Sequence, residues 1–161
     1  MKGVTYTSFA PNDITTRAQL VTILWRLEGE PLVSAAEGFR DVYENDWYNN
    51  AIRWATANGI AEGYGENVFG PNDAVTRQQM AAILWRYCKY KGYDVSIGED
   101  TNILSYYDAF DVAGYAMPAM QWACGAGIIQ GIEKNGSIYL DPNGNAIRSQ
   151  CAVMIYRFCA Q

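Results

Sequence analysis

Three segments of the sequence carry apolar residues at the helical spacing i, i+3, i+4 and i+7. These stripes are Leu20, Ile23, Leu24 and Leu27; Met80, Ile83, Leu84 and Tyr87; and Cys151, Met154, Ile155 and Phe158. They predict amphipathic helices over residues 16–28, 76–91 and 147–159. Because the stripes are alike, we expect the three helices to pack together around a pseudo-threefold axis.

Two shorter apolar segments predict a second kind of helix. One runs roughly from Trp47 to Asn58 and ends at Gly59, and the other covers residues 116–126, with Pro118 in its first turn. No stretch shows sustained strand alternation. The pattern therefore predicts an all-α fold of helix–loop–helix repeats around a central three-helix bundle.

The helices belong to a repeated unit. Gly3, Phe9, Pro11-Asn12-Asp13 and Thr16-Arg17 recur 60 positions later, and Pro71-Asn72 and Arg77 recur 71 positions after that. Residues 1–31 are the second half of a first repeat, residues 36–92 a complete second repeat, and residues 93–161 a linker with a third repeat. We expect these parts to form one compact domain.

The composition excludes several classes of function. The net charge of −5 argues against a nucleic-acid binder, and no apolar run is long enough to enter a membrane. The chain has no histidine, which removes the commonest general base and metal ligand. Asp41 and Asp111 recur, but each precedes a valine at a helix approach and is typical of a turn or cap. We expect no catalytic residue, metal or cofactor.

The motif that opens each long helix has a structural component. A threonine followed three residues later by glutamine predicts a capping box, in which both side chains bond free N–H groups of the helix start. Thr16 with Gln19 and Thr76 with Gln79 fit it, whereas Ile147 replaces the threonine before Gln150.

The arginine of this motif is harder to explain by helix stability. Arg17, Arg77 and Arg148 each occupy the first helical position, where the helix dipole disfavours a cation and the residue should contribute little stability. One explanation is an ion pair with Asp13 or Asp73. The other is an anion-binding site beside the free N–H groups.

The repeat resembles the S-layer homology (SLH) repeat of bacterial surface proteins. The resemblance rests on Phe39-x-Asp41-Val42, Trp47-Tyr48, Gly59-Ile60, Phe69-x-Pro71 and the Thr-Arg-x-Gln motif. It implies a non-catalytic, extracellular module that anchors a larger protein to the cell wall. The implied ligand is a secondary cell-wall polysaccharide, often pyruvylated, bound in grooves between repeats.

The resemblance also implies site residues. The motif arginines would bind the pyruvyl carboxylate, together with Gln19, Gln79 and Gln150. Trp47 and Tyr115 are candidate walls for sugar rings, or else simply pack a helix start. Trp25, Trp85 and Tyr156 are expected in the core.

Three further points stay open in the sequence. Protein–protein assembly in a surface layer is the alternative function. Cys88 and Cys159 are predicted to be buried small hydrophobes, and a Cys124–Cys151 disulfide is the minor alternative. The first repeat lacks its Trp/Tyr-opened helix, so one groove should miss a wall; a monomer is favoured, although the 93–106 linker or a second chain could fill the gap.

Overall fold

The computed structural model describes residues 7–33 and 38–160. Five helices carry the fold: α1 (Arg17–Leu27), α2 (Asn49–Ala57), α3 (Arg77–Lys91), α4 (Met117–Gly125) and α5 (Arg148–Cys159). All five lie where the apolar pattern predicts helices, and the all-α fold class is confirmed. Gly3 and the rest of the first six residues lie outside the described part of the chain.

One small sheet was not predicted. Strands β1 (Ile132–Lys134) and β2 (Ser137–Tyr139) form an antiparallel hairpin in the third repeat, with Ile132 opposite Tyr139. Asn135 and Gly136 form its turn with positive φ values of 52° and 79°. Asn-Gly is the preferred sequence for such a two-residue turn, so the signal was in the sequence although the strands are too short to alternate visibly.

A closed ring of main-chain hydrogen bonds marks the pseudo-threefold axis. The Thr15 N–H donates to the Ala146 carbonyl, the Ala146 N–H to the Val75 carbonyl, and the Val75 N–H to the Thr15 carbonyl, all at 2.9 Å. All three residues are fully buried. The repeats are therefore arranged in a ring, as the three equivalent stripes predict.

Each long helix begins on the turn of the next repeat. In α1, the N–H groups of Arg17 and Ala18 donate to the carbonyls of Asp73 and Pro71, both at 3.0 Å. The equivalent pairs are Arg77 with Gly144, Gln78 with Pro142, Arg148 with Asp13 and Ser149 with Pro11. These bonds satisfy N–H groups that a helix cannot satisfy internally, and they tie the three repeats into one unit.

The capping boxes form as predicted in α1 and α3. The Thr16 hydroxyl accepts from the Gln19 N–H at 3.3 Å, and the Gln19 side chain accepts from the Thr16 N–H at 3.1 Å. Thr76 and Gln79 repeat both contacts. In α5 only the glutamine half remains, because Ile147 has no hydroxyl: Gln150 accepts from the Ile147 N–H at 3.3 Å.

The stripes form the core, with departures at their ends. Leu27 is half exposed and Cys159 is exposed, so the prediction that Cys159 is buried like Cys88 was wrong. Both residues lie in the last turn of a helix, where the bundle opens to solvent. All four cysteines are free thiols, without a Cys124–Cys151 bridge.

The three aromatic residues beside the stripes differ in how far they are buried. Trp25 is buried, and its indole N–H donates to the Pro31 carbonyl at 2.9 Å. Trp85 is half-buried, but Tyr156 is 74% exposed, so the core prediction was wrong for Tyr156. Trp25 is covered because the segment after α1 folds back over it.

A carboxylate holds the Phe-x-Pro-type turn of the second repeat and its equivalent in the third. Asp41 accepts from the N–H groups of Phe69 and Gly70 at 2.9 and 2.7 Å. In the third repeat Asp108 accepts from Leu140 and Asp141, both at 2.7 Å. Asp108 is thus the partner of Asp41, and the pairing of Asp41 with Asp111 was wrong because the two loops differ in length before the valine.

Candidate functional site: clefts between repeats

The first cleft lies where the start of α1 meets the second repeat. Its volume is about 300 Å³. Its walls come from all three repeats: Arg17, Glu62, Gly63, Tyr64, Gln79, Ala82, Ile83, Arg86 and Tyr115.

The second cleft is the same junction, one repeat further on. Its volume is about 220 Å³, and it is lined by Arg77, Ile128, Ile129, Gln130, Ser149, Gln150, Val153, Met154 and Arg157. Arg77 takes the place of Arg17, Gln150 that of Gln79, and Arg157 that of Arg86. The repeat therefore builds two related clefts from equivalent positions.

The motif arginines are buried and are held by hydrogen bonds to main-chain carbonyls. The Arg17 side chain is only 5% exposed; its Nε donates to the Phe69 carbonyl at 3.1 Å and its Nη2 to the Glu62 carbonyl at 2.6 Å. Arg77 makes the same pair of bonds to Leu140 and Gln130, at 2.8 and 3.2 Å. Main-chain carbonyls thus hold both side chains, rather than the carboxylate of an ion pair.

The third motif arginine follows the same plan. The Arg148 Nε donates to the Phe9 carbonyl at 2.9 Å, and its guanidinium lies 5.0 Å from the centre of the Phe9 ring. Phe9 is the repeat equivalent of Phe69, whose ring centre lies 4.7 Å from the Arg17 guanidinium. Each motif arginine therefore stabilises the loop of a neighbouring repeat, a role that the first position of a helix did not predict.

Burial lowers the pKa of Arg17 and Arg77 from its ordinary value. For Arg17 the opposing influences include the nearby Asp73, and for Arg77 they include Asp141 and Asp108. An arginine remains protonated at any physiological pH. Both clefts therefore keep a positive charge at their inner end.

A second arginine lies at the outer side of each cleft, and the sequence reasoning missed it. Arg86 donates from Nη2 to the Glu62 carboxylate at 3.0 Å, and Arg157 donates from Nη2 to the Gln130 side-chain oxygen at 2.9 Å. Each stands nine residues after the motif arginine of its own helix: Arg86 follows Arg77, and Arg157 follows Arg148. Arg26 follows Arg17 at the same spacing. Recurrence at this fixed spacing was the available signal.

The glutamines line both clefts and cap their helices at once. The Gln79 Oε1 accepts the Thr76 N–H, so its amide nitrogen points away from that bond. Gln150 is oriented the same way by Ile147. Each amide can therefore donate hydrogen bonds into its cleft, which a glutamate at the same position could not do.

The two predicted aromatic walls belong to different junctions. Tyr115 lines the first cleft and is 56% exposed, and Tyr64 stands opposite it with 52% exposed. Trp47, the repeat equivalent of Tyr115, is 59% exposed and contacts Tyr48 edge-on at 5.0 Å. By repeat equivalence, Trp47, Gln19 and Arg148 correspond to Tyr115, Gln79 and Arg17 of the first cleft, and the positions that correspond to Glu62 and Gly63, residues 2 and 3, lie outside the described chain.

The second cleft has no aromatic wall in the described part of the chain. Its apolar lining is formed by Ile128, Ile129, Val153 and Met154. The short helical turn Ser96–Gly98 of the 93–106 linker packs against α4, and no residue of the linker is among those that line this cleft.

Within residues 7–33 and 38–160, no helix is long and apolar enough to cross a membrane. The same residues contain no group of three or more potential metal ligands. The two clefts are singled out as candidate sites because they recur at equivalent positions of the repeat.

Comparisons with known proteins agree on the repeat. Residues 38–81 match the S-layer homology domain. Over 156 residues and 97% of its length, the chain is 33% identical to an amylopullulanase of Thermoanaerobacterium thermosulfurigenes. It is 32% identical, over 93% of its length, to the surface-layer 125 kDa protein of Lysinibacillus sphaericus.

A shorter similarity, 27% identity over 96 residues and 57% of the chain, links it to a cellulosome-anchoring protein of Acetivibrio thermocellus. The chain spans only a small part of these relatives: 8% of the amylopullulanase, 12% of the surface-layer protein and 22% of the anchoring protein.

Proposed function

The chain belongs to the S-layer homology domain family, and we propose that it holds a larger protein on a bacterial cell wall by binding an acidic secondary wall polysaccharide in the clefts between its repeats. As a member of this family it is a cell-surface, cell-wall-associated anchoring module. The proposal lies in the ligand and in where it binds.

The observation that carries the proposal is the repetition of one chemistry at two junctions. Each cleft combines a buried motif arginine, an outer arginine and a glutamine amide, which are all hydrogen-bond donors. Donors gathered in a partly enclosed cleft favour a ligand with several oxygen acceptors, and they can bind a carboxylate among these. A sugar that carries a carboxylate, such as a pyruvyl ketal, has this chemistry.

We assign roles to the site residues as part of the same proposal. Arg17 with Gln79, and Arg77 with Gln150, form the inner donor set of the first and second clefts. Tyr115 offers a face on which a sugar ring can stack, since about half of its side chain is exposed. Arg148, Gln19 and Trp47 would play these parts at the third junction.

The enzyme names among the relatives do not transfer to this chain. It matches 8% of the amylopullulanase and 14% of an exoglucanase of Acetivibrio thermocellus. We assign those activities to other parts of those proteins. For the protein that contains this chain, we propose a larger surface protein in which these repeats are the anchor.

A sedimentation assay tests the proposal. The protein is mixed with bacterial sacculi that carry a pyruvylated secondary polymer, and with the same sacculi after hydrofluoric acid has removed that polymer. We expect co-sedimentation with the first preparation only, and competition by a pyruvylated disaccharide. Equal binding to stripped sacculi would point to peptidoglycan and contradict the proposal.

Protein–protein assembly remains a second candidate because of an exposed aromatic surface on the third repeat. Tyr107 and Phe110 are 72% and 87% exposed, and the Tyr107 ring lies 4.9 Å from that of Tyr139. Such side chains favour a contact with another protein surface. Self-association that rises with concentration and is lost in Phe110→Ala would favour this candidate, whereas a monomer at all concentrations would argue against it.

A further inference from the structure

The outer arginines of the two clefts have different partners. Glu62 and Gln130 occupy equivalent positions, since the main-chain carbonyl of each accepts a hydrogen bond from the motif arginine of its cleft. Their side chains then accept from the outer arginines Arg86 and Arg157, at 3.0 and 2.9 Å. The geometry is the same, but one acceptor is a carboxylate and the other is a neutral amide.

This difference changes the charge that a ligand meets. In the first cleft the positive charges of Arg17 and Arg86 are partly compensated by Glu62. In the second cleft, the described lining holds Arg77 and Arg157 without any carboxylate. Acidic residues outside the two linings also lie near the motif arginines, Asp73 near Arg17 and Asp108 and Asp141 near Arg77. The contrast between the clefts therefore concerns the outer arginines, since Arg86 pairs with the Glu62 carboxylate and Arg157 with the neutral Gln130 amide.

The apolar residues that line the two clefts also differ. The first cleft presents the rings of Tyr64 and Tyr115, which suit the C–H faces of a sugar ring. The described walls of the second cleft are aliphatic, with Ile128, Val153 and Met154 among them. Among the described residues, the first cleft thus combines aromatic faces with an outer arginine that pairs with a carboxylate, and the second combines aliphatic walls with an outer arginine whose partners are a carbonyl and an amide.

We infer that the two clefts select different parts of the polysaccharide: the second cleft binds the anionic substituent, and the first binds a sugar ring with little preference for its charge. Glu62 sets this selectivity, because its carboxylate accepts a hydrogen bond that Arg86 could otherwise donate to a ligand. The inference rests on the proposed function and adds a division of labour to it. A polymer with alternating neutral and acidic sugars would fit both clefts at once.

Nuclear magnetic resonance can measure the two clefts separately. The side-chain amide of Gln79 reports on the first cleft and that of Gln150 on the second. The probes are a pyruvylated disaccharide and the same disaccharide without the ketal. We expect Gln150 to detect about tenfold tighter binding of the pyruvylated probe, the change typical of one charge-assisted contact, and Gln79 to detect nearly equal binding of both.

Two reciprocal variants make the test specific to residues 62 and 130. Glu62→Gln should give the first cleft about a tenfold preference for the pyruvylated probe, and Gln130→Glu should remove the preference of the second. Glu62 is exposed, with 68% of its side chain accessible, so an unchanged melting temperature serves as the control for folding.

The outcomes separate this inference from the proposed function. If both amides show the same preference, or if Glu62→Gln leaves the preference at Gln79 unchanged, the division of labour is wrong while saccharide binding stands. If neither amide responds to either probe, the proposed function fails, and this inference fails with it.

Discussion

The Arg17 side chain donates a hydrogen bond to the main-chain carbonyl of Phe69, with an Nε–O distance of 3.1 Å across 52 positions of sequence. A second bond from the same guanidinium reaches the Glu62 carbonyl. One side chain therefore fixes the loop that forms the floor of the first cleft. The motif arginine joins two repeats before it meets any ligand.

We therefore expect Arg17→Ala to destabilise the protein. The substitution leaves two carbonyls in a largely buried place without their charged donor, which should cost about 2–4 kcal/mol in the free energy of unfolding. Urea denaturation measures the loss. Arg26→Ala is the matched control, because Arg26 is about half exposed and makes a long i,i+4 pair with Glu30 at 3.8 Å; it should change stability by less than about 0.5 kcal/mol. An Arg17→Ala protein as stable as the wild type would refute the structural role.

The Asp41 carboxylate should make stability depend on pH. Burial alone would raise the pKa of Asp41, but the N–H groups of Phe69 and Gly70 hold it below its ordinary value. The unfolded chain then binds the proton more readily, so this contribution is fully present above the unfolded pKa near 4 and is lost as the pH falls through the folded value.

Asp41→Asn should consequently destabilise the protein at about pH 7 by about 1–3 kcal/mol, because an amide cannot accept from both N–H groups. The difference from the wild type should shrink at about pH 3. Asp111→Asn is the control, since Asp111 is exposed and does not hold the turn. An equal effect of the two substitutions at both pH values would show that the turn does not depend on Asp41.

Ile147→Thr should stabilise the protein by restoring the incomplete capping box of α5. The backbone of Ile147 has φ −78° and ψ 161°, nearly the values of the capping Thr76, so a threonine there can adopt the capping geometry without rearrangement. We expect a gain of about 0.5–1 kcal/mol, measured by urea denaturation. Ile147→Val, which is β-branched but has no hydroxyl, should show no gain. A destabilised threonine variant would mean that the apolar contacts of Ile147 outweigh the cap.

Tyr115→Ala should weaken binding of a pyruvylated disaccharide to the first cleft with little effect on stability. More than half of the Tyr115 side chain is exposed, so its loss removes a stacking face rather than core packing. A loss of about 1 kcal/mol in binding free energy is expected, measured by calorimetric titration. Tyr107→Ala removes an even more exposed tyrosine that lies outside both clefts, and this variant should bind as the wild type does. Identical affinities for the two variants would place the sugar elsewhere.

The sequence predicted the helices and their ring because both depend on patterns that recur. The stripe of α1, the capping pair Thr16 and Gln19, and the spacing to Thr76 are local or periodic features, and these can be counted along the chain. The hairpin around Gly136 was not predicted, because its strands have only three residues each and show no visible alternation.

The candidate site was only partly predictable, for a physical reason. Which groups an arginine bonds depends on carbonyls that come close only after folding, such as that of Glu62, 45 positions from Arg17. A pairing argument based on sequence neighbours proposes Asp13 for Arg17 instead. The outer arginines could have been found from the sequence, since Arg86 and Arg157 keep the same spacing from the motif arginine of their own helix. That they face the clefts is visible only in the fold.

Binding of the double variant Arg86→Ala/Arg157→Ala to sacculi that carry the pyruvylated polymer tests the central claim most directly. Arg86 contacts the exposed Glu62, and Arg157 contacts the exposed Gln130 and, at 3.4 Å, the Ile128 carbonyl. The fold should survive the loss of these contacts, and the melting temperature checks this. If the clefts bind the polymer, each single variant should lose part of the affinity, and the double variant should bind at least about tenfold more weakly than the wild type. A folded double variant that co-sediments with sacculi as well as the wild type would contradict the claim that the clefts between the repeats anchor the protein.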